Sequence, residues 1–218
     1  MAIATGPAVP PPLGPRRQAA TEAKRERILD AARQVFEADG LEAASLRGIA
    51  AAAGYTPAAL YFHFDSKEAL YAEVLSASVA RLAEAIGSAA SKADQPAARL
   101  SAAALAFFDF YAENPRDLDL GFYLFRGGMR PKGVGRERDN ALNAALAAAL
   151  SPIGEAARAL GADEAAANLT IADLFAHATA LLLLAHTGRM RMFGASARGL
   201  MVEAVERRAA LLAKGDAG

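Results

Sequence analysis

Residues 54–70, GYTPAALYFHFDSKEAL, pack a helix stop, a tight turn, a short aromatic helix and a new helix start into seventeen positions. Gly54 stands where a helix end needs a left-handed residue, a backbone setting that glycine adopts because it has no Cβ to clash. Thr56 has the side chain of an N-cap. Pro57 follows at the first helical position, where its missing N–H costs nothing and its fixed φ suits a helix. Only Tyr55 separates stop from cap, so the two helices must cross steeply and the second must project. Asp65 and Glu68 fit a D-x-x-E capping box that opens a third helix through Leu70, Val74 and Leu75, which confines the projecting helix to Pro57 to Phe64. Within it, spacing assigns Leu60 and Phe64 to the core.

Upstream, residues 45–54 read SLRGIAAAAG: Ser45 is a candidate N-cap, and Leu46, Ile49, Ala50 and Ala53 recur at helical spacing up to Gly54. Before that, residues 22–38 carry Ile28, Leu29, Ala32, Val35 and Phe36 on one stripe, stopped at Asp39-Gly40, and this helix packs behind the crossing pair. The order and the short turn describe a helix-turn-helix, whose second helix fits a DNA major groove. With Ile28-Leu29-x-x-Ala32, Phe36, Gly40, Ser45-Leu46-Arg47-x-Ile49-Ala50, Gly54-Tyr55-Thr56, Leu60-Tyr61-x-His63-Phe64 and Ser66-Lys67-Glu68-x-Leu70 in register, the segment from about residue 21 to 75 resembles the N-terminal domain of TetR-family transcriptional regulators. Any one piece is a weak signal; their joint spacing is specific.

The resemblance implies that Tyr61 and His63 touch phosphates, and that Lys67 does so at the start of the next helix, whose N-terminal dipole also attracts phosphate. These contacts set register. Base reading falls to Thr56, Ala58, Ala59 and the longer Arg47, whose guanidinium can fork onto guanine O6 and N7; Ser45 and Pro57 complete the candidate DNA-binding set. Ala58 and Ala59 stand where many relatives carry longer polar residues or glycine. Direct readout is therefore expected to be sparse and to lean on thymine methyl groups and DNA shape. Tyr61 has an alternative as a packing residue against the preceding helix, and His63 as a buried, hydrogen-bonded histidine.

Composition bounds the rest. The 218 residues are enough for two domains, and alanine-rich segments without strand-like alternation predict an all-α protein. The expected division is a flexible Pro-rich arm at 1–20, a helix-turn-helix domain at 21–68 and a larger helical ligand-binding and dimerisation domain at 69–218. The arm holds five prolines, no acidic residue, Arg16 and Arg17, and it lacks the apolar core of a signal peptide. It could lay its arginines on DNA, or serve as a plain tail. Net charge is zero, so bulk electrostatics lend nucleic-acid binding no support; only locally, from Arg16 to Arg33, do six basic residues outnumber three acidic ones. Absence of cysteine rules out disulfides, thiol nucleophiles and cysteine-ligated metals, and suits a cytoplasmic setting. The most apolar stretch, Ala178 to Ala185, is far shorter than the roughly 20 residues of a membrane span, so no membrane passage is expected.

Breaker clusters at Asp94-Gln95-Pro96, Asn114-Pro115, Gly127-Gly128 to Gly135, Gly161 and Gly188 to Gly194 predict five further helices, with Ser151-Pro152 bending or splitting the segment from Val134 to Leu160. Phe107, Phe108, Phe110, Tyr111, Phe122, Tyr123 and Phe125 converge from two consecutive helices, an arrangement that lines an apolar cavity or simply fills a core. Phe107, Phe108, Tyr111, Phe122 and Tyr123 are the candidate effector-pocket aromatics, with Arg126, Asp173 and His177 as polar partners. His177 and His186 fall on opposite sides of one helix, so no metal site is expected. The helix from about Asp163 to Thr187 is apolar around most of its circumference, more than one packing partner needs. Leu174, Ala178, Leu181 and Leu184, with Leu200, Met201 and Val205 of the last helix, are the candidate dimer interface, a four-helix contact of the kind usual in the family.

No Gly-rich phosphate loop, H-E-x-x-H or G-x-S-x-G pattern occurs, which argues against an enzyme, and no cofactor is expected. The expectation is a homodimeric regulator that binds a pseudo-palindromic double-stranded DNA operator. A small, mostly apolar effector of unknown identity would release it as a repressor. The alternative is a DNA-binding architectural or co-regulator protein with no effector.

Overall fold

Gly40 adopts φ 75° and ψ 170° and breaks the first helix at the glycine that the sequence marks as its stop. In the computed structural model, which describes residues 15–121 and 133–215, this helix, α1, is Pro15–Ala43, with a last turn beyond Gly40. Residues 15–20, expected to belong to the arm, are helical. Pro15 takes the first helical position, where proline is tolerated, so the helix begins six residues before the expected start of the domain at 21. The rest of the arm, residues 1–14, lies outside the described residues.

Helix α2, Leu46–Ala52, is capped by Ser45, whose Oγ accepts the Gly48 N–H at 3.1 Å. The chain turns at Gly54, φ 73°, and enters α3, Pro57–Tyr61, whose cap is Thr56 Oγ1 accepting the Ala59 N–H at 3.3 Å. Helix α3 ends at Tyr61, short of the expected Phe64. The N–H groups of His63 and Phe64 both reach the Leu60 carbonyl, at 2.8 and 2.9 Å, which tightens the chain out of the helix and turns Phe64 inward. Helix α4, Lys67–Ser91, opens from Ser66, not from the expected Asp65: Ser66 Oγ accepts the Ala69 N–H at 3.1 Å.

The chain divides into two compact units, residues 1–70 and 71–218, two residues beyond the expected boundary. In the first, Ile28, Ala32 and Phe36 of α1, Ile49 and Ala50 of α2, Leu60 of α3, and Phe64 and Leu70 form the buried centre; Leu29 and Val35 lie half-buried at the edge of the α1 stripe. The predicted packing of Leu60 and Phe64 is borne out.

The second unit holds the rest of α4, then α5 (Pro96–Glu113), α6 (Pro115–Gly121), α7 (Arg136–Ala159), α8 (Glu164–His186) and α9 (Ala197–Ala213), with a short 3-10 turn at Arg189–Phe193. No strand occurs among the described residues. Helix α5 packs on α7, α8 and α9, and Leu100, Phe107, Ile153, Leu174, Leu182 and Val205 sit at the centre of the core. Helix α7 runs unbroken through Pro152, so the expected split does not occur; the hydrogen bond that Pro152 cannot give to Ala148 is offset by burying Leu150 and Ile153 on either side. Gly154 lets α7 approach α8 closely, since a Cβ there would come within 2.8 Å of Ile171 Cδ1.

Polar clasps fix the helix ends. Arg198 of α9 forks onto Asp109 of α5 at 2.8 and 2.9 Å, and Arg208 of α9 meets Asp173 of α8 at 2.8 Å. Arg81 of α4 pairs with buried Asp117 of α6 at 2.7 Å, and the Tyr71 hydroxyl donates to the Leu120 carbonyl at 2.6 Å. By length and composition α8 could cross a bilayer, which the shorter stretch Ala178 to Ala185 does not suggest; its Ala167, Thr170, Leu174, Ala178 and Leu182 side instead packs inside the second unit.

Candidate nucleic-acid interface

Burial of Leu60 and Phe64 decides which way α3 faces: with those two side chains inward, Thr56, Pro57, Ala58 and Tyr61 are exposed together, and Ala59 and His63 lie half-buried beside them. Ser45 and Arg47 are exposed at the start of α2. The Ser45 and Thr56 hydroxyls accept cap hydrogen bonds, and each keeps its own O–H to donate outward. Exposure of Tyr61 removes its alternative as a packing residue.

His63 lies at the end of this row. Burial, reinforced by the positive charges of Lys24 and then Arg25, holds its imidazole below the usual value of 6.5, so the ring is neutral at physiological pH. The ammonium of Lys24 sits 5.0 Å from the Tyr55 ring and holds the turn residue against α1. Lys67 does more than the sequence suggests. Its Nζ donates to the carbonyls of Glu42 and Ala44 at 3.0 and 3.4 Å, tying the start of α4 to the end of α1 and leaving one N–H for an outside acceptor.

Phe62, which spacing alone leaves unassigned, is 86% exposed between Tyr61 and His63 and meets the His63 ring edge-on at 5.3 Å. A large apolar ring held out at the tip of a short helix is a surface feature that the sequence reading misses. The signal was present, because Phe62 falls between the inward positions Leu60 and Phe64.

Residues 28–74 match the model of the family described as "Bacterial regulatory proteins, tetR family". The transcriptional regulator UidR of Escherichia coli K12 is 44% identical over 57 residues, covering 25% of this chain and 29% of that protein. The transcriptional activator FasR of Mycolicibacterium smegmatis is 37% identical over 99 residues, 45% of each chain. Among solved structures, the transcriptional regulator FadR of Bacillus subtilis, crystallised with stearoyl-CoA, aligns over 87% of this chain and 98% of its own with a TM-score of 0.63 at 16% identity, a likeness of fold.

The reading head belongs to the TetR family. The chain spans less than half the length of the curated relatives it matches.

The larger unit departs from the sequence reading at several named positions. Of the expected pocket residues, Phe107, Phe108 and Tyr111 are buried, and Phe107 meets Tyr111 at 5.1 Å and the unanticipated Phe175 of α8 at 5.6 Å. Asp173 does not join them. It lies on the outside of α8, where the Arg208 guanidinium is its charged partner. His177 is half-buried, and its Nε2 has no partner among the described residues. Phe122, Tyr123, Phe125 and Arg126 lie outside the described residues. Among the described residues no cluster of three metal-ligating side chains occurs.

The expected dimer residues need a larger correction. Leu174, Ala178, Leu181, Met201 and Val205 are buried inside this chain's own core, and Leu184 and Leu200 pack against its edge. Apolar positions of α8 form two interleaved stripes, and the leucine-rich one closes the domain. The free stripe is Leu169, Ala172, Ala176, Ala180 and Leu183, spaced by three and four, with Leu169 62% and Leu183 60% exposed.

Proposed function

We propose that this chain is a homodimeric DNA-binding transcriptional regulator that represses by occupying a pseudo-palindromic operator, and that a small, mostly apolar effector releases it. The observation that carries the reading is the short α3, capped at Thr56 and anchored inward by Leu60 and Phe64, with Thr56, Ala58 and Tyr61 left facing solvent. A five-residue helix so presented fits a major groove, with Tyr61, His63 and the remaining Lys67 N–H on phosphates and Arg47 on a guanine edge. The small side chains at 58 and 59 bring the backbone close to the bases, where thymine methyl groups and groove shape carry much of the readout.

Two heads are needed for a palindrome, separated by about 34 to 36 Å or a further helical turn. The Leu169–Leu183 stripe of α8 supports a second copy as its cover: an exposed apolar seam with a three-four repeat suits packing against an equivalent helix. A regulator of this kind works in the cytoplasm, beside its DNA.

For the effector, support comes from the Phe107, Tyr111 and Phe175 rings gathered around α5 and α8, and from the unpartnered His177 Nε2 as a polar anchor nearby on α8. The FadR of like fold was solved with stearoyl-CoA, an apolar chain on a polar head. Helix α4 begins at Lys67 of the reading head and, further along, grips α6 through Arg81–Asp117 and Tyr71–Leu120, so a ligand that displaces α6 pulls on α4. Release follows only if the ligand binds the two conformers unequally.

The packed contacts of Phe107 and Tyr111 also favour a second reading, an architectural or co-regulator protein with a filled core and no effector. In vitro selection of bound DNA tests the first claim: an enriched pseudo-palindrome supports it, and no enrichment from a random pool refutes it. A thermal-shift screen with acyl and other apolar compounds then separates the readings, because only a ligand-binding domain gains stability.

A further inference from the structure

Met192 and Phe193 are 78% and 74% exposed in a turn that is otherwise firmly held. Met190 of the same turn is buried in the core, and left-handed glycines, Gly188 at φ 71° and Gly194 at φ 60°, bracket it. Two large apolar side chains displayed from a fixed turn gain by being covered.

A receptacle of matching character lies at the other end of α8. Ala147, Leu150 and Ser151 of α7 and Asn168, Ile171, Ala172 and Phe175 of α8 line a groove of about 380 Å³, which borders the aromatic group proposed above for the effector through Phe175 alone of its three rings. The ion pair between Arg158 and Glu164, 3.2 Å apart, stands where α8 begins. Ala172 belongs both to the groove and to the exposed stripe, so the groove is continuous with the face proposed above for a second copy.

We infer that in the homodimer the Met192–Phe193 turn of each protomer seats in the α7–α8 groove of its partner. The inference rests on the α8-face homodimer proposed above and adds reciprocal hooks to it. Symmetry supplies the register. In an isologous pair of antiparallel α8 helices crossing at Ala176, the middle of the stripe, Glu164 of one protomer lies opposite position 188 of the other. The turn Arg189–Phe193 follows at once, so it arrives at the end of the groove that Glu164 marks. The chemistry agrees: a flat ring and a deformable thioether meet Leu150, Ile171, Ala172 and Phe175, with the polar residues Arg158, Glu164 and Asn168 beside them. Each hook also clasps the partner at a distance from the two-fold axis, which resists twisting of one protomer against the other.

Because the chain contains no cysteine, introduced thiols report without background. Phe193→Cys and Asn168→Cys are made as separate full-length variants, mixed to exchange subunits, and treated with a short bis-maleimide. A covalent dimer forms in the mixture and in neither variant alone. Sedimentation of a Met192→Ser/Phe193→Ser variant shows the dimer dissociation constant raised at least about 100-fold, with the monomer's melting temperature unchanged because both side chains are already solvated. A dimeric wild type that gives no cross-link and an unchanged dissociation constant in the serine variant overturns the inference while the α8-face dimer stands. A wild type that sediments as a monomer at all concentrations overturns both.

Discussion

Replacing Leu169 and Leu183 together with alanine should separate the protomers without unfolding them, and the expected size of the effect follows from how much of each side chain is exposed. Fully burying a leucine is worth about 1.5–3 kcal/mol. These two are 62% and 60% exposed in the single chain, so about three-fifths of that remains to be gained on association. An isologous interface contains each residue twice, giving four such contributions and about 4–7 kcal/mol in all. That corresponds to a dissociation constant weakened by roughly 10³- to 10⁵-fold, enough to turn a nanomolar dimer into a monomer at micromolar concentration in sedimentation velocity. The control is Leu181→Ala. Leu181 is buried in the chain's own core, so its truncation should cost about 2–5 kcal/mol of folding stability, read as a lower melting temperature, with the dimer intact below that temperature. The opposite pattern, with Leu181→Ala dissociating a well-folded chain and the Leu169/Leu183 variant remaining dimeric, would refute the assignment of the two α8 stripes.

Three further outcomes are expected. Lys67→Met should weaken binding equally on operator and random DNA, as loss of a phosphate contact does, and should also lower the head's stability by about 1 kcal/mol because the Glu42 and Ala44 carbonyls lose their donor; normal stability in a melting experiment would contradict the tie between α1 and α4. His63 is held neutral in the free head, and a phosphate placed beside it favours its protonated form, so DNA binding takes up a proton and affinity rises as pH falls towards the ordinary imidazole value of 6.5; fluorescence anisotropy should show the slope in wild type and a flat profile in His63→Gln. Burial, with Asp117 adding to it, pushes the Tyr111 hydroxyl up to about 12. The folded state keeps a proton that the unfolded chain releases above its ordinary value of 10, so stability is full below pH 10 and declines by about 3 kcal/mol as pH rises from 10 to 12, a limb that Tyr111→Phe should remove in alkaline denaturation curves.

Most of the reading head was legible in the sequence because its determinants are local. Ser45, Gly54, Thr56 and Pro57 each act on a backbone group within three residues, and the caps form at those positions. Where the reading slipped, a competing contact of the same range won: Ser66 took the cap expected of Asp65, and two N–H groups converging on the Leu60 carbonyl ended α3 at Tyr61. The larger unit was legible in its punctuation, at Pro96, Pro115, Gly161 and Gly188, and much less so in its facing.

Helix α8 shows why facing is harder to read. Leucine content singled out Leu174, Leu181 and Leu184 as the surface offered to a partner, yet a helix whose two sides are both apolar has no polar face to mark the outside. Residue size carries information that hydrophobicity does not. Gly154 brings α7 so close to Ile171 that neighbouring inward positions must be small, and Ala167 and Thr170 fill them; the outward stripe can alternate Leu169 and Leu183 with Ala172 and Ala176 because it is exposed among the described residues. A second copy pressed on that stripe would close its backbone approach at the alanines and fill its edges with the leucines. Substituting Ala176→Leu at the crossing point therefore acts on association alone: it pushes two α8 helices apart where they are nearest, while the monomer, in which Ala176 is already exposed, keeps its melting temperature.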